Sequence, residues 1–143
     1  MRSDILNVNS SSTSTHKKKD QSINADVTLT NEDSGKVFML DAAGGTVAIT
    51  LPTASTGEDG VYYKFIVEEE TPGNAITIAA GSAIVSFVGL DVSGTAASTA
   101  GTQVSNVIIG TSAQKGDVVE LMFTKGEYVG TALSGINGAI TTS

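Results

Sequence analysis

The residue types that most often carry out chemistry are scarce and scattered in this chain. His16 is the only histidine, and it lies in a polar stretch with no apolar face, so a Ser-His-Asp triad would lack a firmly held base. The same isolation argues against a histidine-ligated metal ion. The chain has no cysteine, which excludes disulfides, thiol nucleophiles and thiolate zinc sites. We therefore expect no catalytic residue, no metal site and no cofactor.

The carboxylates cluster, but in patterns that do not suit catalysis. Glu68, Glu69 and Glu70 are adjacent, and neighbouring residues at the end of a strand point to opposite faces, so they do not converge. The Asn-Glu-Asp run at residues 31–33 lacks the spaced ligands of a calcium loop. We interpret both as solvated acidic surface. A glycan hydrolase would need a cleft with paired carboxylates, and nothing in the sequence locates such a pair. An enzyme is therefore the least favoured alternative.

The composition indicates sheet rather than helix. The chain of 143 residues is about one domain long, contains 16 glycines and is rich in Thr, Ser, Val and Ile, which suit turns and strands. From residue 26 onward, short runs of alternating apolar residues are separated by turn clusters, which predicts about nine strands. The fold class that we predict is all-β, an antiparallel β-sandwich or small jelly-roll-like barrel. No run is apolar and long enough for a membrane-spanning helix.

Alternation within single strands predicts the core. The run at residues 61–67 places its large apolar residues on one face and Lys64 on the other. Residues 42–45, Ala-Ala-Gly-Gly, predict a tight hairpin before the next strand, and Lys125-Gly126 predicts a second one. Residues 130–143 are small, and we expect a flexible tail anchored by Leu133, Ile136 and Ile140. The residues that we predict to be buried are Val47, Ile49, Leu51, Phe65, Leu121 and Phe123.

Residues 1–25 differ from the rest of the chain in charge and in pattern. They carry a net charge of +2, whereas residues 26–143 carry −9, and they contain a long Ser/Thr/Lys-rich run without apolar residues. We predict an extended N-terminal arm that lies on a neighbouring protein. Its expected partner-binding residues are the apolar anchors Ile5, Leu6 and Val8, together with Lys17, Lys18 and Lys19 as partners for carboxylates. The acidic body makes nucleic acid an unsuitable partner.

Tyr62 and Tyr63 are adjacent in a predicted strand, so one of them must face away from the core. Outward-facing tyrosines often anchor interfaces. We therefore predict that the outward one of the two, with the Ala/Gly-rich loop at residues 93–103, contacts another subunit. We predict a homo-oligomer, a trimer, which would also cover the edge strands of a small open sandwich.

The order of these features resembles a module of tailed-bacteriophage virion proteins. The resemblance spans most of residues 27–138: a Leu-Thr, Ser-Gly-Lys and Leu-Pro frame over residues 29–52, an aromatic strand at 62–67, and Gly116-Asp117 before a hairpin and a small-residue tail. Such modules often carry a tryptophan in the last hairpin, where this chain has Tyr128.

This resemblance implies a structural protein of the virion without enzymatic activity. We favour a head decoration, or cement, protein that binds the major capsid protein or another virion protein on the outer capsid surface. It would have no nucleic-acid or membrane partner. The alternative within the same resemblance is a domain of a tail fibre or appendage involved in host attachment.

Overall fold

The structure is a computed structural model that describes residues 20–70, 72–80, 85–91, 96–98 and 104–143. The structure is nearly all β, with 48% strand and 3% helix, which confirms the all-β prediction. In chain order the strands are β1 (Asp20–Ile23), β2 (Val27–Thr28), β3 (Val37–Leu40), β4 (Val47–Thr50), β5 (Tyr62–Val67), β6 (Ile76–Ala79), β7 (Val85–Asp91), β8 (Ala96–Ser98), β9 (Asn106–Ile109), β10 (Val118–Thr124), β11 (Glu127–Ser134) and β12 (Ile140–Thr142).

The strands form two mixed sheets. Sheet A has seven strands in the order β1-β3-β5-β10-β11-β7-β8, and sheet B has five in the order β12-β9-β6-β4-β2. From β1 to β6 the chain alternates between the two sheets, so the strands β1, β3 and β5 of sheet A pair in parallel, as do β2, β4 and β6 of sheet B. In the N-terminal half, successive strands therefore wind around one core.

One hydrophobic cluster fills the space between the sheets, and the period-two alternation builds it. In β4 the side chains of Val47 and Ile49 are buried while Ala48 and Thr50 are exposed. In β5 the residues Tyr63, Phe65 and Val67 are fully buried. All six residues predicted for the core are buried: Val47, Ile49, Leu51, Phe65, Leu121 and Phe123.

The strand pairing differs from the antiparallel arrangement that we expected. Residues 42–45 do not close a hairpin, because β3 lies in sheet A and β4 in sheet B, so this turn carries the chain across the core. A Gly- and Ala-rich turn can close a hairpin within one sheet or carry the chain from one sheet to the other. Only the pairing partners of the two flanking strands distinguish these connections. The second predicted hairpin is confirmed: Lys125 and Gly126 both have positive φ, at 52° and 85°, and join the antiparallel strands β10 and β11.

Both ends of the predicted domain differ from expectation. The arm was expected to run to residue 25, but β1 (Asp20–Ile23) pairs with β3, and Ile23 lies in the core. The C-terminal segment was expected to be a tail, but it forms the second half of β11 and the strand β12, which pairs with β9. Ile140 is buried and Ile136 packs against the core as expected, whereas Leu133 is 57% exposed and anchors nothing in the core.

Candidate functional site

The acidic run at residues 31–33 forms a short 3₁₀ helix whose carboxylate has a local structural role. Asp33 Oδ2 accepts a hydrogen bond from the backbone N–H of Thr30 at 2.8 Å, and Asp33 Oδ1 forms an ion pair with Lys36 Nζ. Partial burial acts to raise the pKa of Asp33, but the hydrogen bonds from Lys36 and Thr30 outweigh it, so the pKa lies below its ordinary value. Asp33 therefore caps the helix as a carboxylate.

Asp117 is the one buried charged residue in the described part of the chain, and its carboxylate joins two loops to the start of β10. Its Oδ2 accepts hydrogen bonds from the backbone N–H of Gln114 at 3.0 Å and from Ser134 Oγ at 2.8 Å, and its Oδ1 accepts one from the N–H of Gly135 at 2.8 Å. These bonds satisfy both oxygens, so Asp117 serves the fold.

The two fully buried tyrosines also have structural roles. Tyr63 donates its hydroxyl hydrogen bond to the Thr30 carbonyl at 2.8 Å, and Tyr128 donates to the Pro52 carbonyl at 3.1 Å. Burial raises the pKa of both hydroxyls, that of Tyr128 to about 12. Tyr63 is therefore excluded as a surface contact, and Tyr62 is the outward member of the pair.

The outer face of sheet A, the side turned away from the core, carries an unusual number of apolar side chains. Strand register places Met39, Ile66, Val118 and Leu133 in one continuous row across β3, β5, β10 and β11. A second row joins Tyr62, Met122 and Val129. In an ordinary sandwich, the face of a sheet that is exposed to water carries mainly polar side chains. We call these two rows the apolar face of sheet A.

A polar row separates the two apolar rows. Lys64 Nζ lies 2.9 Å from Glu120 Oε1, and the next positions along the row are Thr131 and Val88, which is 42% exposed. The pKa of Tyr62 is raised to about 12. Burial of its hydroxyl is the largest cause, and a hydrogen bond with Glu120 and the negative charge of Glu120 add to it. The centre of this face therefore carries one paired cation and anion and no net charge.

Sheet B provides an internal comparison, because its outer face has the composition of a solvated surface. The outward positions of β4 are Ala48 and Thr50, both exposed, and those of β6 are Thr77 and Ala79. Ile108 is the one large apolar side chain among the outward residues described on this sheet, and it is partly buried. The apolar character therefore belongs to sheet A and is not a general property of the protein.

A small cavity of about 270 Å³ opens at the β2 edge of sheet B. Asn31 Nδ2 donates to the Thr56 carbonyl at 2.7 Å, while its Oδ1 is buried and accepts no hydrogen bond from the part of the chain that the structure describes. No titratable side chain lines the cavity, so it can bind a small group but supplies no acid or base. Its lining comprises Thr28, Leu29, Thr30, Asn31, Thr50, Leu51, Pro52, Thr53 and Thr56.

The residues predicted for partner binding fall mostly outside the described range. Ile5, Leu6, Val8, Lys17, Lys18 and Lys19 lie outside the described residues, and so does most of the predicted contact loop, of which only β8 (Ala96–Ser98) is described. Tyr62 is the one predicted contact residue that lies on the apolar face of sheet A.

Sequence reasoning overlooked the other members of this face, although a signal was present. Ile66 lies between Phe65 and Val67, Met122 lies between Leu121 and Phe123, and Val118 precedes Val119. Uninterrupted apolar runs of this kind indicate strands that are covered on both faces. The alternation rule assigned one residue of each run to the core and left its neighbour without a role.

Comparison of the sequence with known protein-family models and with curated proteins finds no match. Among the described residues, no group of three or more His, Cys, Asp or Glu side chains is placed to hold a metal ion. No helix in the described ranges is long and apolar enough to cross a membrane. The fold and the site together are those of an all-β protein with one large apolar surface.

Proposed function

We propose that this protein is a non-enzymatic structural module that attaches, as a homo-oligomer, to a larger protein assembly. The apolar face of sheet A is the observation that carries the proposal. Leu133 is 57% exposed and Met122 42% exposed, and the residues that face each of them across the neighbouring strands are also apolar. Rows of exposed apolar side chains of this kind often mark a protein interface.

Within that class, we propose a decoration protein of a tailed-bacteriophage head, bound to the major capsid protein or another virion protein on the outer capsid surface. The support is the sequence resemblance over residues 27–138, combined with a net charge of −9 in residues 26–143 that disfavours nucleic acid as the partner. A trimer fits the same proposal, with Tyr62 in the contact between subunits.

The arm is the second contact in this proposal. Residues 1–19 hold Ile5, Leu6 and Val8, which would bind an apolar groove on the shell, and Lys17, Lys18 and Lys19, which would pair with carboxylates. Salt screens the lysine contacts and leaves the apolar ones largely unaffected. Replacing the three lysines should therefore weaken attachment mainly at low salt, whereas replacing the three apolar residues should weaken it at any salt.

A particle-binding assay tests the proposal. The full chain and a chain that begins at Asp20 are mixed with undecorated heads and, separately, with tails, and bound protein is measured after sedimentation. We expect the full chain to bind heads and the shortened chain to lose most of that binding. Binding to tails alone would favour the fibre or appendage alternative, and binding to neither would contradict a virion role.

A further inference from the structure

We infer that the apolar face of sheet A binds a second copy of the same chain. This inference deepens the proposed function and rests on it for the idea that the protein works as a binding module. It assigns the two surfaces different tasks: the face of sheet A joins copies of the protein to one another, and the arm remains for attachment to the larger assembly.

The first support is the kind of side chain on this face. Fully buried interface centres are rich in aromatic residues and methionine and poor in unpaired charge. The face of sheet A offers Tyr62, Met39 and Met122 beside the aliphatic residues Ile66 and Leu133. Packed against a second sheet, these side chains would interdigitate as the two sheets of a sandwich do.

The second support is charge. The chain carries a formal net charge of −7, so two copies repel each other through most of their surfaces. The centre of the sheet A face is the exception, because Lys64 and Glu120 neutralise each other there at 2.9 Å, while the outward Asp20 and Glu127 lie at the ends of β1 and β11. A basic partner would gain more from the acidic remainder of the surface than from this neutral centre. An identical acidic partner can approach best through this face.

The third support is size. The seven strands of sheet A, spaced about 4.8 Å apart, make its whole outer face about 29 Å wide and about 20 Å long, with the apolar rows on the four strands β3, β5, β10 and β11 near its middle. Two such faces in contact would bury about 1,200 Å², which is the lower end of the range for specific protein interfaces. The face is therefore large enough for a pair of copies without further contacts.

The test measures the mass of the protein in solution and compares lysine substitutions on the two sheets. Sedimentation equilibrium over a concentration series is recorded for the unaltered full chain, for Leu133→Lys, for Met122→Lys and for Ala48→Lys. Leu133, Met122 and Ala48 are all outward-facing and exposed, and each variant adds the same charge. Ala48 lies on sheet B and is therefore the matched control.

A face that binds its own copy closes a two-fold pair, so we expect the unaltered chain to be a dimer and not a trimer. We expect each sheet A variant to raise its dissociation constant by about tenfold or more, as loss of a central interface residue does. Ala48→Lys should leave the dissociation constant unchanged, and thermal melts should show all four proteins folded. A monomer at every concentration, or oligomers that both sheet A variants retain, would overturn the inference. A monomeric chain that still binds heads would overturn the pairing of copies and leave only attachment to the larger assembly, whereas a monomer that binds no virion part would count against both.

Discussion

Gly130 lies on β11 at a close approach to the paired strand β10 of sheet A. A Cβ added to it would contact Leu121 Cδ2 at less than any normal separation and would lie 2.5 Å from the Glu120 carbonyl oxygen. The carbonyl oxygen belongs to the paired strand β10 and cannot move away without loss of the ladder. Only glycine therefore fits this position.

We predict that Gly130→Ala lowers the free energy of unfolding by about 2 kcal/mol, the usual cost of overpacking a core. Chemical denaturation measures the change. Gly44→Ala is the control, because nothing lies within 4 Å of its added Cβ and its φ is not in the left-handed region, so it should be neutral or slightly stabilising. Equal effects of the two substitutions would contradict the packing argument.

We expect the ionisation of Asp33 to make the stability of the fold depend on pH. Its pKa lies below the ordinary value of 3.8, so its capping bonds stabilise the fold above about pH 4, and this stability is lost as the pH falls through the lower, folded-state pKa. We predict that Asp33→Asn lowers the free energy of unfolding at pH 7 by about 1 kcal/mol, a usual value for a helix cap. Thermal melts from pH 7 to pH 2 should show the two proteins converging in acid. A difference that is constant with pH would contradict the role of the carboxylate charge.

Residue burial was the most predictable property of this chain. Val47, Ile49 and Leu51 alternate with small or polar residues, so their shared inward face follows from local backbone geometry alone. Leu133 was predicted to anchor the C-terminal tail and is exposed, because Ala132 takes the inward position beside it. Where both neighbours are apolar or small, local alternation does not determine which one faces inward.

At the scale of the strands, β1 extends the folded body beyond the predicted boundary at residue 25. Ile23 is buried and pairs with Leu40 of β3, and the Ile23 carbonyl accepts a hydrogen bond from the backbone N–H of Asp41 at 2.9 Å. The folded body therefore includes residues 20–25, which the change in charge and composition had assigned to the arm.

Two truncations should locate this boundary. A chain that begins at Asp20 keeps β1, so its melting temperature should match that of the full chain. A chain that begins at Asp26 loses the buried Ile23 and uncovers the edge of β3, and its free energy of unfolding should fall by about 3 kcal/mol, as expected for a buried aliphatic side chain. Differential scanning calorimetry compares the three. A large loss already at Asp20 would mean that residues 1–19 contribute to the fold.

The hairpin at Lys125-Gly126 and the crossing at residues 42–45 show which connections sequence can predict. A two-residue turn with two positive φ angles matches only an antiparallel pair, so β10 and β11 could be joined from the sequence. The turn at residues 42–45 also contains glycine, but the pairing of β4 with β6 and β2 decides the course of the chain there. Those partners are distant in sequence, and no local pattern specifies them.

At the scale of the whole molecule, the winding of β1 to β6 between the two sheets should make folding slow. Each parallel pair in it needs the chain to cross to the other sheet and return before the first bond forms. We predict refolding on a time scale of about 10 ms to seconds, as for domains dominated by distant contacts. The chain has three tyrosines and no tryptophan, so stopped-flow tyrosine fluorescence can follow it. Refolding within microseconds would contradict this view of the topology.

The placement of the two chain ends has a practical consequence. Sheet B has β2, which directly follows β1 along the chain, at one edge and β12 at the other, so these two strands lie about 19 Å apart. A peptide fused after Ser143 would therefore emerge at the β12 edge, away from the strands that the N-terminal segment leads into. If that segment holds the protein to a particle, the fused cargo would point outward, and the protein could serve as a platform that displays foreign epitopes in many copies.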